Sequence, residues 1–280
     1  MKKRQFAART AYYIFSFLLA AVLIFPFAYM VLRSLMTTDQ ILRKPVELFP
    51  SPVSFSAYAG LFGSDGYGGA LLQTLKIVGF NVIAIPLSGS FIAYGFARMK
   101  FPGKNVVFAI MLATMMIPGA VLQVPLYVMF SDFGWTDTVL PLTIPNLFGG
   151  GAVYIFLIRQ FMRGIPTEIE EAGELDGANP FVRFFVLVLP LCFPVLVYVI
   201  INVFNANWGD FYGPLVYMSN TDKPTLAFVV FNDAIYASVS AAKENSRMAA
   251  GVFMSVLPVV LFVIFQKQLI EGVAMSSLKG

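Results

Sequence analysis

Six long stretches of this sequence contain no Asp, Glu, Lys or Arg, and this feature restricts the fold more than any other. A helix of roughly 20 apolar residues crosses the hydrocarbon core of a bilayer, which is about 30 Å thick. The stretches have that length: residues 11–32, 77–97, 105–130, 138–158, 184–206 and 248–266. Backbone groups in lipid must form their hydrogen bonds internally. We therefore predict an all-α membrane protein with six transmembrane helices.

Composition supports this prediction against a very hydrophobic soluble fold. Only 12% of the residues are charged, about half the usual fraction in soluble domains. The first stretch follows basic residues, as a secretory signal would, but its 22 residues exceed the roughly 7–15 apolar residues of a signal peptide. We therefore expect it to be retained as a helix.

The distribution of basic residues predicts the orientation. If both termini are cytoplasmic, 12 of the 19 Lys and Arg residues lie on the cytoplasmic side. The loop 98–104 has three basic residues, whereas the loop 131–137 has none and contains two Asp residues. Basic residues favour cytoplasmic loops, so we predict an N-in and C-in topology. The net charge of +4 follows from this asymmetry, and we expect no nucleic-acid partner.

The sequence offers no recognisable catalytic centre. It contains no His, and its one Cys, Cys192, lies within the fifth stretch. This composition leaves no zinc site of the usual ligand set and no His-based triad. A phosphate-binding loop of the form G-x-x-x-x-G-K-[ST] is also missing. We expect no enzyme activity, no catalytic residue, no metal site and no cofactor bound by this chain.

The segment 159–183, between the fourth and fifth stretches, has the clearest local pattern. Thr167 followed by Glu170 has the spacing of a capping box, which predicts a helix beginning there. Gly177 is expected to end that helix in the left-handed conformation. Asn179 and Pro180 then predict a new helix that continues into the fifth stretch. A cytoplasmic partner could displace the short acidic helix, and this displacement could reach the membrane helix that follows. Alternatively, the short helix merely connects two helices.

The amino-acid sequence of this segment resembles a known motif. Glu171-Ala172-Gly173, Gly177 and Leu187-Val188-Leu189-Pro190 resemble the EAA motif of bacterial ATP-binding-cassette (ABC) importer permeases. That motif reads E-A-A, three residues, G, nine residues, then I-x-L-P. The spacing matches at every step, with Gly173 in place of the second alanine and Leu187 in place of isoleucine.

Further segments resemble the same family in the same order. Residues 93–103 look like the segment after its second span, and residues 208–211 resemble its W-N-[DE]-F, with Gly209 where Asn is usual. The ending 277–280 resembles the family's short K-G terminus. The resemblance runs from the second stretch to the last residue. It is strongest to the six-span partner subunit of the maltose-type carbohydrate importers.

The resemblance implies one permease domain, residues 1–280, in a bacterial cytoplasmic (inner) membrane. It would form half of the pathway for a sugar or oligosaccharide. The implied partners are a second permease, two ATPase subunits that bind ATP and Mg, and an extracytoplasmic solute-binding protein, which would contact residues 207–247. The residues implied in coupling to the ATPase are Glu170, Glu171, Ala172, Gly173, Asp176, Gly177, Leu189, Pro190, Lys279 and Gly280.

A polar cluster at the end of the fifth stretch is the candidate for the substrate pathway. It consists of Asn205, Asn207, Trp208 and Asp210. Asn side chains can donate to and accept from sugar hydroxyl groups, and Trp offers an apolar face with one donor. Trp208 could equally be an anchor at the membrane interface.

Two other classes of membrane protein are weighed against the importer permease. Ion-coupled secondary transporters usually carry ionisable residues within their spans, and the six stretches have none, although a sodium site of carbonyl and hydroxyl oxygens stays possible. A membrane-embedded enzyme would have to use Asp and Glu from loops and tails alone. An importer permease should copurify with an ATPase, and neither rival should.

We predict that both termini and the segment 159–183 are cytoplasmic. In a Cys192→Ser background, Ser131→Cys should react with a membrane-impermeant thiol reagent in intact cells, because its loop is external in this topology. Ser277→Cys should react only after the cells are permeabilised. Labelling of Ser277→Cys but not Ser131→Cys in intact cells would reverse the orientation.

Overall fold

The computed structural model describes residues 2–43, 45, 47–63, 67–220, 222–235 and 244–277. Every regular element in these ranges is helical. The elements are α1 (Lys2–Ser34), α2 (Thr38–Leu42), α3 (Ser56–Phe62), α4 (Tyr67–Arg98), α5 (Lys104–Thr114), α6 (Gly119–Asp132), α7 (Leu140–Thr143), α8 (Ala152–Arg163), α9 (Glu168–Leu175), α10 (Pro180–Val182), α11 (Leu189–Leu191), α12 (Phe193–Trp208), α13 (Tyr212–Tyr217), α14 (Leu226–Ile235) and α15 (Glu244–Ser277). A 3₁₀ turn, Ile144–Phe148, follows α7, and a π-helical segment, Arg183–Val188, follows α10.

Four segments in the described part of the chain are long and apolar enough to cross a membrane. They are Arg9–Ser34, Tyr67–Arg98, Leu140–Arg163 and Glu244–Lys267. Two bent helix pairs raise the number to six if each pair is one span. The helical, multi-span character expected from the sequence is confirmed, whereas the count of six and the orientation stay predictions.

The third and fifth apolar stretches are not the continuous helices that we predicted. The axes of α5 and α6 differ by 97° across the break at residues 115–118. Pro118 explains this break, because proline has no backbone N–H and disfavours helical geometry in the residue before it. A bend of 77° at Cys192 separates the helix Pro180–Leu191 from α12, and Pro190 and Pro194 flank it.

Three consecutive glycines interrupt the fourth stretch. Gly149, Gly150 and Gly151 have φ angles of +90°, +64° and +115°, which side chains disfavour. A Cβ atom on Gly150 would also lie 2.6 Å from Ile85 of α4. The run therefore interrupts the helix between the 3₁₀ segment and α8, in a glycine turn that lets the backbone pack directly on α4.

The chain divides into two compact units. The first comprises residues 1–68 and 229–257, and the second comprises residues 69–228 and 258–280. Within the first unit, the Arg33 guanidinium group pairs with Glu244 at 2.6 Å, and Asn245 donates to the Met36 carbonyl group. The most apolar part of α1 has no buried residue, so it presents side chains outward along its length.

The second unit contains the main hydrophobic core and both candidate sites. Its fully buried core side chains come from α4, α8 and the segment from Arg183 to α12, and include Ala93, Ile158, Met162, Val188, Cys192, Val199 and Val203. Phe184 lies between Tyr94 and Phe185, with ring centroids 5.1 and 4.7 Å apart. This core fixes the end of α4 against the segment that contains α9.

Candidate functional site

The predicted acidic helix is present as α9, Glu168–Leu175. It begins directly after Thr167, as expected, and Glu168, Glu170 and Glu171 occupy its first turn, where the helix dipole favours negative charge. The capping box itself was a wrong prediction. The Thr167 side chain makes no capping hydrogen bond, because Thr167 has helical backbone angles instead of the extended ones of a capping residue. The Glu170 side chain that would complete the box turns inward.

Glu170 forms a buried polar cluster with the end of α4. Its Oε1 atom lies 2.6 Å from Arg98 Nε, and its Oε2 atom accepts a hydrogen bond from the Tyr94 hydroxyl at 2.7 Å. Glu170 is 7% exposed and Tyr94 is 4% exposed. Arg98 Nη2 also donates to the Ile165 carbonyl group at 2.7 Å. Arg98 therefore binds both the start of α9 and the turn before it.

This cluster ties α9 to α4 strongly. Removing one partner of a buried ion pair typically costs about 3–5 kcal/mol, because the other charge is left buried without compensation. No local pattern predicts this pair, since Arg98 and Glu170 are 72 positions apart. The family resemblance implies a coupling role for Glu170 but does not predict its Arg98 and Tyr94 partners.

The end of α9 has the geometry that the sequence predicts. Gly177 has a φ angle of +83°, its N–H donates to the Glu174 carbonyl, and the Ala178 N–H donates to the Gly173 carbonyl. These two hydrogen bonds form a Schellman motif. The left-handed conformation at Gly177 lets the chain reverse within two residues.

The next helix starts as predicted but does not continue straight into the membrane. The Asn179 side chain accepts a hydrogen bond from the Val182 N–H at 2.9 Å, and Pro180 occupies the first helical position. The chain then enters the π-helical segment and bends at Cys192. Arg183, at the start of that segment, pairs with Glu174 of α9. Two links thus lead from α9, a buried one to α4 and a bent one to α12.

The two departures from the EAA pattern are in contact with each other. A Cβ atom added to Gly173 would lie 2.5 Å from Leu187 Cδ1, closer than two carbon atoms can approach. The Leu187 methyl group therefore occupies the space that the family's second alanine would fill. Glycine at 173 and leucine at 187 form one packing solution between α9 and the π-helical segment.

The residues predicted to couple with an ATPase divide into exposed and buried groups. Glu171, Ala172, Asp176 and Gly177 are exposed, whereas Glu170 is buried. Leu175, not singled out from the sequence, is 90% exposed at the end of α9. Leu189 and Pro190 belong to α11, beyond the π-helical segment. Lys279 and Gly280 lie outside the described residues.

The four residues predicted to line the pathway do not form one cluster. Asn205 is exposed, whereas Trp208 is only 3% exposed and stacks on Phe204 with ring centroids 5.5 Å apart. This burial of Trp208 within the protein differs from the exposed position expected of an interfacial anchor. Asn207 points toward a partner on α4, and Asp210 is used in the following turn.

Asn207 belongs to an amide network that the sequence analysis missed. The Asn81 Nδ2 group donates to Asn207 Oδ1 at 2.6 Å and to the Leu142 carbonyl at 2.9 Å. Asn146 Nδ2 donates to Asn81 Oδ1 at 3.1 Å and to the same carbonyl at 3.0 Å. Asn81 is fully buried. Asn81 and Asn146 lie inside charge-free stretches, and such amides in membrane helices commonly bridge neighbouring helices.

Asp210 has a local role in the turn before α13. Its Oδ1 atom accepts a hydrogen bond from the Gly213 N–H at 2.9 Å. Burial raises the pKa of the Asp210 carboxyl group above its ordinary value, while backbone hydrogen bonds from Gly213 and Tyr212 oppose that rise. A Cβ atom on Gly213 would lie 2.5 Å from Asp210 Oδ2. The carboxylate is therefore packed closely against the start of α13.

The fold and the α9 segment together define a permease-type membrane protein with a helix exposed outside its spans. Residues 85–274 match the family model described as "Binding-protein-dependent transport system inner membrane component". The match covers more than half of the chain and includes α9. The chain belongs to this family and is a multi-pass membrane protein, and the resemblance to carbohydrate-uptake ABC permeases is confirmed.

Curated relatives match over almost the whole chain. The trehalose transport system permease protein SugB of Mycobacterium tuberculosis is 30% identical, over 85% of this chain and 86% of that protein. The lactose transport system permease protein LacG of Rhizobium radiobacter is 28% identical, over 91% of each chain. The arabinooligosaccharides transport system permease protein AraQ of Bacillus subtilis is 28% identical, over 97% of this chain and 96% of that protein.

Solved structures show the same fold. A chain of a bacterial ABC transporter involved in the import of the acidic polysaccharide alginate matches with a TM-score of 0.81 and 20% identity, over 95% of this chain and 97% of that chain. A chain of a bacterial alginate ABC transporter in complex with a pentasaccharide-bound periplasmic protein matches with a TM-score of 0.61 and 15% identity.

We predict that Gly173→Ala destabilises the protein and that Leu187→Ile partly restores it. Alanine gains about 0.5–1 kcal/mol in helix propensity, but its Cβ atom would force the half-buried Leu187 side chain into another rotamer. Overpacking of this kind costs about 1–3 kcal/mol. Thermal unfolding midpoints of the two single variants and the double variant measure the coupling, expected at about 0.5–3 kcal/mol.

Gly79→Ala in α4 is the matched control, since a Cβ atom there meets nothing within 4 Å and the variant should keep or raise the midpoint. Additive effects of Gly173→Ala and Leu187→Ile would contradict the packing argument.

Proposed function

We propose that this chain forms half of the translocation pathway of an ATP-driven, binding-protein-dependent importer of a sugar or oligosaccharide, and that α9 couples it to a separate ATPase. The observation that carries the proposal is the structure of α9. The helix exposes Glu171, Ala172 and Leu175 while the buried Glu170 side chain pairs with Arg98. An exposed contact surface is thus joined to the end of a long apolar helix.

The geometry supports coupling from α9 to two membrane segments, α4 and α12. A partner that contacts the exposed side of α9 displaces Glu170, and the ion pair with Arg98 transfers that displacement to α4. The pair between Arg183 and Glu174 provides the second link, toward α12. Because the loss of either partner from such a buried pair costs about 3–5 kcal/mol, α9 and the end of α4 should move as one body.

The proposed assembly contains the partners implied by the family. A second permease completes the pathway, two ATPase subunits bind ATP and Mg, and a solute-binding protein delivers the substrate to the segment 207–247 on the outer side. This chain binds no cofactor and performs no catalysis in the proposal. The terminal residues Lys279 and Gly280 would reach the ATPase pair. The location is the bacterial cytoplasmic membrane.

A carbohydrate substrate is supported by the relatives. Their names specify trehalose, lactose and arabinooligosaccharides, and the related structures concern alginate. All of these are saccharides, although they differ in size and charge. The direct test is to copurify the permease with its ATPase, reconstitute the complex with its binding protein, and measure which sugars stimulate ATP hydrolysis. No stimulation by any saccharide would contradict the proposed substrate class.

We predict that Glu171→Lys abolishes sugar transport while the chain still inserts in the membrane. The exposed Glu171 carboxylate belongs to the EAA motif, and its replacement by a cation would disrupt the contact with the ATPase. Transport and copurification of the ATPase are the measurements.

Glu168→Lys is the matched control, because it places the same charge in the same helical turn, also exposed, but outside the motif. It should keep most of the transport activity. Equal losses in the two variants would attribute the effect to the helix dipole, and wild-type transport by Glu171→Lys would refute the coupling role.

We also predict that Asn205→Ala weakens solute transport without lowering stability. Its side chain is exposed, and the loss of one hydrogen bond to a sugar should raise the half-saturating solute concentration roughly threefold to tenfold. Basal ATPase activity should stay unchanged. Asn207→Ala should behave differently, because it removes the partner of Asn81 and lowers the unfolding midpoint. Unchanged transport in Asn205→Ala would remove this residue from the pathway.

A further inference from the structure

Four basic residues lie near the end of α4 and outside α9. Lys100 lies in the loop after α4, Lys104 begins α5, and Arg159 and Arg163 are one turn apart near the end of α8. Within the part of the chain whose side chains are described, none of the four forms an ion pair. They form a concentration of positive charge that the proposed coupling does not use.

Aromatic packing holds this group in place. The Arg159 guanidinium group lies 3.9 Å from the centroid of the Phe108 ring in α5, and its Nε atom donates to the Phe96 carbonyl at 3.3 Å. Phe108 is one helical turn after Lys104, and Arg163 is one turn after Arg159. Lys104 is close enough to Arg159 and Arg163 for their charges to act on it. Packing thus holds the Arg159 charge in α8 beside Lys104 of α5 despite the repulsion between them.

A shallow concavity lies beside two of these cations. Lys100 and Lys104 line a shallow concavity of about 530 Å³, whose other walls are Phe101, Gly103, Asn105 and Val106. Lys104 Nζ donates to the Met99 carbonyl at 2.8 Å, which fixes its ammonium group at the rim. Both cationic and apolar groups therefore face the same concavity.

An exposed apolar strip on α5 begins at this concavity. Val106, Val107 and Ile110 are 63%, 50% and 62% exposed, and α5 contains no buried residue. A free phosphate ion or an acidic protein surface would use the cations but would leave this strip without a partner. An anionic phospholipid uses both, because its phosphate is attached to acyl chains.

We propose that Lys100, Lys104, Arg159 and Arg163 bind the phosphate group of an anionic phospholipid whose acyl chains lie along the exposed face of α5. Basic pockets at the ends of membrane helices attract anionic headgroups, and each basic residue near a membrane surface contributes about a fivefold gain in affinity. The site requires only that the chain spans a bilayer. It is independent of the orientation and of the proposed coupling through α9.

The test places the wild-type chain and its variants, each at full length, in nanodiscs that contain equal amounts of phosphatidylglycerol and phosphatidylcholine. Native mass spectrometry of the released protein counts the lipids that stay bound. The wild type should retain phosphatidylglycerol in preference to phosphatidylcholine. Lys100→Gln with Arg163→Gln should lower that retention by more than tenfold, since both side chains are exposed and their loss should not unfold the protein.

The matched control is Lys76→Gln with Lys267→Gln, which removes two exposed cations that lie outside the concavity. It should retain phosphatidylglycerol like the wild type. A large excess of inorganic phosphate should not displace the lipid. Equal retention of the two lipids, unchanged retention in Lys100→Gln with Arg163→Gln, or displacement by inorganic phosphate would each overturn the proposal.

Discussion

The constraint on which this structure depends is that backbone polar groups within a membrane must find partners in the protein. Continuous helices satisfy it without side chains, but this chain interrupts several of its apolar stretches. At the glycine turn, the Gly149 N–H donates to the Ser88 hydroxyl at 3.1 Å. Before it, the Leu142 carbonyl accepts from both Asn81 and Asn146. Polar side chains of α4 and of the 3₁₀ turn thus satisfy the backbone near the break, as non-helical backbone at membrane depth requires.

The same constraint explains which sequence-based predictions succeeded. Helical type and the approximate bounds of the apolar stretches follow from charge-free length. The end of α9 and the start of α10 follow from Gly177 and Asn179, whose preferences are local. The breaks at Pro118 and Cys192 were missed because proline is tolerated inside many membrane helices, so its presence does not predict a bend of 97° or 77°. The partners of Glu170 and Asn207 could not be predicted, since they depend on packing between segments more than 60 residues apart.

A residue-by-residue comparison with a sequence motif does not show that two positions can depend on each other through packing. Gly173 and Leu187 count as two separate departures from the EAA pattern. In the folded chain they are one feature, because the Leu187 methyl group fills the space of the missing alanine Cβ atom. The glycine thereby loses the helix propensity of alanine but gains a close contact with the π-helical segment. The departures therefore do not weaken the assignment of α9 to the motif.

The two links from α9 differ in burial and in path, and this difference affects how a displacement of α9 would reach α4 and α12. The link to α4 is short and buried, with Arg98 holding both Glu170 and the Ile165 carbonyl. The link to α12 passes through the π-helical segment and the bend at Cys192, where α12 begins with Pro194 at its second position. A push on α9 should therefore translate the end of α4 directly. The same displacement should reach α12 mainly as a change in the angle at Cys192. One displacement of α9 would therefore move α4 and α12 in different ways.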